Sequence, residues 1–294
     1  MLRDLHEALA RTDLPATTLA KARIVQSVLD RDSQARLESF WIAGDRPHAV
    51  IAFGDTDNAD LVVYLLHGIE TDLEALPGWA DAAQRVCADV IRSCVARGTP
   101  RSVATIAWFG WDSGTQTSAL ATKHATIGAA RLAIDIDRLA DRNPGAHIAV
   151  VTYSYSTTLL GEMFALNIAD EVHTAFAIAS AGVTHAAGAA IESAVEDGEV
   201  VFYATEGAGD GTAPLGRLGH HPVDPRDLRG VIVYDCDGGE APGVNGDLVL
   251  GVAVEGHASQ TVVDERGIRH PGYFDEHAQG YLTLVARLAD AVTR

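Results

Sequence analysis

The stretch that decides the fold covers residues 148–162 and reads IAVVTYSYSTTLLGE. It begins with a run of β-branched and small apolar side chains, which is typical of a strand buried on both faces. A helical pattern begins directly after Ser154, so the turn between the two elements is short. A serine at such a corner is either a nucleophile presented to a substrate or the N-cap of the following helix. The rest of the chain has to decide between these two interpretations.

Apolar runs and helical periods alternate along the chain. Buried strands are predicted at 60–68, 102–111, 147–154, 173–182, 199–205 and 247–256. Helices are predicted at 78–98, 117–142, 157–168 and 277–293. Strands that alternate with helices predict an α/β fold, in which helices flank a mostly parallel central sheet.

The N-terminal part of the chain has a different pattern. Residues 2–31 show the spacing of one or two amphipathic helices, broken near Pro15. Residues 36–43 and 48–54 alternate in hydropathy and predict an antiparallel strand pair. We therefore expect an N-terminal helical arm over 1–35 and an α/β domain over 36–294.

Composition excludes several classes of partner. The net charge is −18, from 22 Lys and Arg against 40 Asp and Glu, which argues against binding to nucleic acid or to anionic lipid. The chain has no apolar run of about 18 residues and no signal-peptide core. Three cysteines are too few, and odd in number, for a disulfide framework. These features predict a cytoplasmic protein with no membrane contact.

The informative residues are those that follow the strands, because open parallel sheets place their chemistry at the carboxyl ends. His67 and Gly68 end the first buried strand, where the next amide, that of Ile69, can donate to an oxyanion. Ser154 ends the 147–154 strand as a candidate nucleophile, and the amide of Tyr155 is the second candidate oxyanion donor.

A candidate acid follows the strand at 199–205. Asp210 lies in the glycine-rich segment GAGDG, at a position suited to orienting an imidazole. The alternative interpretation is an Asx turn, which Asp-Gly commonly forms. Glu206, Asp235 and Asp237 compete for the acid role.

A candidate base follows the last predicted strand. His257 lies directly after it, and His270 and His277 are the alternatives. The neighbouring His220 and His221 lack the spacing of metal ligands on a defined element, so we predict no metal site.

The resulting order is Ser154, Asp210, His257, which is the order of the α/β-hydrolase fold. The nucleophile elbow of that fold reads G-x-S-x-G, and Thr152 and Ser156 stand here at its two glycine positions. We expect the two side chains to strain the elbow, because Thr152 is β-branched and Ser156 adopts a positive φ less easily than glycine.

The chain also resembles a bacterial α/β-hydrolase family of unknown function. That family has a Gly-Asp segment, a strand with a Gly-rich turn, a tryptophan strand, G-H-S-Y-G-S and a late G-H-S. The corresponding segments here are AFGDTDNADLVVYLLHGIETDL, IAWFGWDSG, VVTYSYSTTLLG and VEGHAS, within residues 48–285. The resemblance implies an α/β-hydrolase fold over most of the chain, with a triad of Ser154, Asp210 and His257.

The expected function is therefore that of a serine-dependent, carboxylesterase-like acyl hydrolase. It would cleave an ester or related acyl bond of a small molecule, with no cofactor, because triad chemistry needs none. Two departures from the family, T-Y-S-Y-S for G-H-S-Y-G and ASAGV for G-S-P-G, favour one alternative: a non-catalytic binding protein with a degenerate elbow.

Overall fold

The computed structural model describes residues 2–293, and an eight-stranded sheet runs through its centre. The strands of this sheet are β1 (Ala35–Ala43), β2 (Arg46–Phe53), β3 (Leu61–Leu66), β4 (Val103–Phe109), β5 (His147–Tyr153), β6 (Thr174–Ile178), β7 (Val201–Thr205) and β8 (Ile232–Val233). Their order is β1-β2-β4-β3-β5-β6-β7-β8. β1 pairs antiparallel with β2 and β2 pairs antiparallel with β4, whereas β3 through β8 are all parallel to one another. The predicted fold class is confirmed.

Helices cover both faces of the sheet. They are α1 (Leu2–Ala10), α2 (Ala16–Arg31), α3 (Leu76–Ala96), α4 (Lys123–Arg142), α5 (Ser156–Ala165), α6 (His185–Glu196), the short α7 (Ala213–Gly216) and α8 (Gln279–Thr293). We predicted no helix at α6, because its Ala- and Gly-rich sequence has little contrast between an apolar and a polar face. Thr184 begins it by accepting a hydrogen bond from the Ala187 amide at 3.1 Å.

The sheet separates two apolar cores. Leu61, Val63 and Leu65 of β3 point into the core that α1, α2, α3 and α8 share. Val62 and Leu66 point into the other core, under α4, α5 and α6. Successive side chains of a strand point to opposite faces, so a strand covered on both sides must be apolar throughout. This is why β3 reads as one unbroken apolar run.

One predicted strand lies outside the central sheet. Residues 248–253 form β10 (Leu248–Ala253), which pairs with β9 (Asp237–Pro242) in a separate antiparallel hairpin. Leu248 and Leu250 are 72 % and 81 % exposed, so the apolar side chains of this strand face solvent and do not enter a core. The edge strand of the central sheet next to β7 is β8, and not β10. A further hairpin joins β11 (Val262–Val263) and β12 (Arg269–His270).

The first two helices pack on the sheet. α1 contacts β1, and α2 contacts β1, β2 and α3. Leu5 and Val25 are fully buried in the core that contains the central strands. The division of the chain at residue 35 stays a prediction. Within residues 2–293, no helix has the length and apolar character needed to cross a membrane.

The packing of α1 is testable with two leucines of the same helix. Leu5 is buried and Leu2 is 54 % exposed. Leu5→Ala should lower the free energy of unfolding by about 2–5 kcal/mol, because it leaves a cavity in the core. Leu2→Ala should stay within about 0.5 kcal/mol of the wild type. Urea denaturation measures both values, and equal effects would contradict the packing of α1 on the sheet.

Candidate active site

The carboxyl edge of the parallel strands carries unusual backbone conformations. Glu70 after β3, Ser154 after β5 and Ala179 after β6 have φ angles of +51°, +58° and +51°. Residues other than glycine rarely adopt this left-handed backbone conformation, and each instance costs about 1–3 kcal/mol. Such strain persists only where surrounding contacts enforce it, and these three residues share one edge of the sheet, while the other described non-glycine residue with a positive φ, Asn167, follows α5.

Hydrogen bonds from β6 and α5 hold the backbone of Ser154. Its amide donates to the Ile178 carbonyl at 2.9 Å. Its carbonyl accepts from the amides of Thr157 at 3.1 Å and Ala181 at 3.3 Å. The serine thus stands on a sharp strand-to-helix turn, with a side chain that is buried except for a small exposed part.

The two hydroxyl residues at the glycine positions do not strain the elbow, contrary to our expectation. Neither Thr152 nor Ser156 has a positive φ, and both are fully buried. Thr152 Oγ1 donates to the Phe176 carbonyl at 2.7 Å. Ser156 Oγ accepts from the Tyr153 amide at 2.9 Å and lies 3.2 Å from the Leu66 carbonyl of β3. These hydroxyls fasten the elbow to the strands on either side of β5.

Three of the predicted site residues lie in direct contact. His257 Nε2 is 2.8 Å from Ser154 Oγ, and His257 Nδ1 is 2.7 Å from Asp210 Oδ2. Because an ionised carboxylate only accepts, Nδ1–H donates to Asp210 and Nε2 is left to accept the serine proton. The chain order of these residues is the one that the sequence predicts, while their catalytic roles stay predictions.

Asp210 is buried and fully partnered. Oδ1 accepts the amides of Thr212 at 2.9 Å and Ala213 at 3.0 Å. Oδ2 accepts the hydroxyl of Tyr273 at 2.8 Å as well as His257. Burial alone would raise the pKa of Asp210, but the hydrogen bonds from His257, Ala213 and Tyr273 outweigh it and lower that pKa below its ordinary value. The carboxyl therefore stays ionised at neutral pH.

The competing acids lie in other contacts. Glu206 forms ion pairs with Arg217 at 2.7 Å and Arg226 at 2.9 Å. Asp237 is exposed and accepts the Ala208 amide at 2.7 Å, and Asp235 is exposed. None of the three contacts a histidine ring among the described residues.

The competing histidines also lie apart from Ser154. His270 is 2.6 Å from Glu255, and this hydrogen bond raises its pKa. His277 is exposed beside Glu276. Both ring nitrogens of the buried His221 face main-chain carbonyls, those of Ala181 at 2.7 Å and Ala119 at 2.6 Å. Within residues 2–293, no three His, Cys, Asp or Glu side chains gather in a group that could hold a metal ion.

The loop after β3 lies against Ser154. A Cβ placed on Gly68 would be 3.1 Å from the Cβ of Ser154. His67, whose pKa burial lowers to about 4, stays neutral and places Nδ1 2.9 Å from the Gly68 carbonyl oxygen. The amides of Ile69 and Tyr155 donate to no other described residue.

Two tyrosines complete the site, and we did not predict either of them. The hydroxyl of Tyr153 donates to the His257 carbonyl, and its ring centroid is 5.3 Å from the imidazole. Tyr273 contacts Asp210 from a loop near the C-terminus. The only available signal was the place of Tyr153 beside Ser154, at the histidine of G-H-S-Y-G. No local pattern marks Tyr273.

Sequence comparison identifies the family of the chain. A family profile described as "Alpha/beta hydrolase" matches residues 44–219, more than half of the chain. The chain belongs to the α/β hydrolase family. No curated protein matches it.

The solved structures that resemble this member of the α/β hydrolase family are distant from it in sequence. A carboxylesterase from Mesorhizobium loti is 16 % identical, with a TM-score of 0.39, over 67 % of this chain and 88 % of that one. TT1662 from Thermus thermophilus is 13 % identical, with a TM-score of 0.43, over 88 % and 99 %. XC6422 from Xanthomonas campestris, an α/β serine hydrolase without lid, is 12 % identical, with a TM-score of 0.38, over 69 % and 84 %.

The hydrogen bonds of Ser156 should make a measurable contribution to the free energy of unfolding. Ser156→Ala leaves the buried Tyr153 amide without its side-chain acceptor, so we expect a loss of about 1–3 kcal/mol in the free energy of unfolding. Ser193→Ala, at an exposed serine of α6, is the matched control and should change it by less than about 0.5 kcal/mol. Thermal and urea unfolding give both values. A Ser156→Ala protein as stable as the control would show that the hydroxyl adds nothing to the elbow.

Proposed function

We propose that this α/β hydrolase is a serine hydrolase that cleaves an ester or related acyl bond through an acyl-enzyme intermediate. The observation that carries the proposal is the unbroken series of contacts from Ser154 Oγ to His257 to Asp210, at 2.8 and 2.7 Å. The positive φ of Ser154 adds support, since strain of this kind concentrates where a side chain has to be presented to a ligand.

In the first half of the reaction, Ser154 Oγ attacks the acyl carbonyl carbon. His257 Nε2 takes the hydroxyl proton as the carbon–oxygen bond forms. The ionised Asp210 orients the imidazole through Nδ1–H and stabilises the cation that results. When the tetrahedral intermediate collapses, the bond to the leaving group breaks, and His257 gives the proton to the departing oxygen, sulfur or nitrogen atom.

In the second half, water replaces the leaving group. His257 Nε2 takes a proton from water as its oxygen attacks the acyl carbon of the ester on Ser154. Collapse of this second intermediate breaks the bond to Ser154 Oγ, which recovers its proton from His257. The products are a carboxylic acid and the leaving alcohol, thiol or amine.

The amides of Ile69 and Tyr155 hold the oxyanion in both halves. The Gly68–Ile69 peptide is trans, so its carbonyl and its N–H point in opposite directions. His67 donates to that carbonyl, which directs the Ile69 N–H away from the imidazole of His67. Tyr155 immediately precedes α5, where main-chain amides are free to donate to an anion.

A small-molecule acyl substrate and a cytoplasmic location remain predictions from the sequence. The main alternative is a binding protein that has kept the fold and lost the reaction. Labelling and kinetics separate the two.

The nucleophile can be tested by labelling. A fluorophosphonate probe should add once per chain, at Ser154, and peptide mass spectrometry would locate it. Ser154→Ala should lose both labelling and hydrolysis of a short-chain aryl ester, and Ser193→Ala should keep both.

The acid can be tested by kinetics. Asp210→Asn should lower kcat by roughly 10²–10⁴-fold, because the imidazole loses its orienting acceptor. Asp237→Asn is its control and should be fully active. Folded wild-type protein that resists the probe and cleaves no ester in a broad panel would establish the binding-protein alternative.

The oxyanion donors can be tested through Gly68. A methyl group there would lie 3.1 Å from the Ser154 Cβ and 3.2 Å from the ring of Tyr153, so the loop or these neighbours have to shift by a few tenths of an ångström. Because displacing a catalytic donor by about 1 Å costs about 10²-fold in rate, we expect this smaller shift in Gly68→Ala to lower kcat by about 3- to 10-fold. Gly145→Ala, where a Cβ meets nothing within 4 Å, is the control. Unchanged kcat in Gly68→Ala would remove Ile69 from the oxyanion hole.

A further inference from the structure

Tyr273 reaches the candidate acid from a distant part of the chain. Its hydroxyl lies 2.8 Å from Asp210 Oδ2, the same oxygen that accepts from His257 Nδ1. The Gly207 amide donates to the same hydroxyl at 2.9 Å. The side chain is 2 % exposed, so water does not compete for these contacts.

We propose that Tyr273 is a positioning residue, which fixes the Asp210 carboxylate and sets how strongly it stabilises the His257 cation. This proposal rests on the proposed function, in which Asp210 orients His257. Tyr273 touches neither Ser154 nor the reacting carbonyl, so its effect passes through Asp210.

The acceptor capacity of the carboxylate supports the positioning role. An ionised carboxylate offers about four acceptor sites. Oδ1 accepts two amides, and Oδ2 accepts the imidazole and the phenol, so all four are used. Burial raises the pKa of Tyr273 far above neutral, and the phenol keeps its proton throughout. The carboxylate therefore cannot rotate without breaking a buried hydrogen bond.

The main chain around Tyr273 ties the acid loop to the base loop. The amide of Tyr273 donates to the Ala258 carbonyl at 3.0 Å, and that of Phe274 donates to the Ser259 carbonyl at 2.9 Å. One residue thus binds the segment that carries His257 through its backbone and the segment that carries Asp210 through its side chain. This link sets the distance between the two loops.

The shared oxygen also determines the direction of a pH effect. A phenol that donates to Oδ2 withdraws negative charge from the oxygen that faces the imidazole. Without it, Oδ2 stabilises the protonated imidazole more strongly, so the base is neutralised only at higher pH. The other titratable groups that interact electrostatically with Asp210 include Tyr153 and Cys236, and the test leaves both unchanged.

The test is Tyr273→Phe, with Tyr281→Phe as the matched control. Tyr281 is fully buried and also donates to a carboxylate, Asp89 Oδ2 at 2.7 Å, but on α8 and α3. With an aryl ester as substrate, Tyr273→Phe should lower kcat about 10-fold with little change in KM, and the acid limb of kcat/KM should move up by about 0.5 pH unit. Tyr281→Phe should lower Tm and leave the pH profile in place.

A double variant shows whether the effect passes through Asp210. In the Asp210→Asn background, Tyr273→Phe should lower kcat by less than about 2-fold, because residues that act as a unit are not additive. A full 10-fold loss in that background, or an unchanged acid limb in the single variant, would overturn the proposal. So would loss of the fold in Tyr273→Phe while Tyr281→Phe folds, since the hydroxyl would then be structural. In all of these cases the wild type still labels and hydrolyses. A wild type that does neither overturns the proposed function itself, and this role with it.

Discussion

The left-handed backbone of Ser154 is the constraint on which the rest of the site depends. A φ of +58° is unfavourable for serine by about 1–3 kcal/mol, and three main-chain hydrogen bonds to Thr157, Ile178 and Ala181 hold it there. Two of these come from the end of β6 and the residues after it. The conformation therefore depends on β5 and β6 being parallel neighbours that end at the same edge. The order of the strands in the sheet is thus a precondition for the geometry of the site. With this turn in place, Oγ faces the imidazole of His257 while the rest of the residue is buried.

The elbow shows how one structural need can be met by different residues. Glycine at the flanking positions would give the backbone conformational freedom and let the strand and the helix approach closely. Thr152 and Ser156 supply hydrogen bonds from their side chains instead. Ser156 reaches across to the Leu66 carbonyl at the end of β3, and Thr152 reaches the Phe176 carbonyl of β6. Both strands beside β5 are thereby fastened to it at the turn. At the two positions where the missing glycines suggested strain, the elbow thus has buried hydroxyl side chains and no positive φ.

The sequence predicted those parts of the molecule that follow from periodicity and burial. Strands apolar throughout, such as β3 and β5, have to lie between two layers, and residues at their carboxyl ends have to meet at one edge. Periodicity could not tell that β10 lies outside the central sheet, because an exposed apolar hairpin and a buried strand share a composition. It also could not identify Tyr273, which is 63 positions from Asp210 along the chain. Contacts between loops depend on the path of the backbone, and local sequence does not encode that path.

Ion pairs distinguish the two neighbouring carboxylates Glu206 and Asp210, of which only Asp210 contacts the imidazole of His257 among the described residues. Glu206 lies four positions before Asp210, and its side chain is only 6 % exposed, so it is the nearest rival acid along the sequence. Arg217 and Arg226 hold it instead, and Asp224 completes a cluster of two cations and two anions. A buried ion pair of this kind contributes little net stability but is costly to break, so Glu206 stays where it is. Arg217 also donates to the Ser180 carbonyl at 2.7 Å, one residue before the Ala181 amide that binds Ser154. The same guanidinium thus pairs with Glu206 and binds the segment that holds the backbone of Ser154, while Asp210 is the carboxylate in contact with the imidazole of His257 among the described residues.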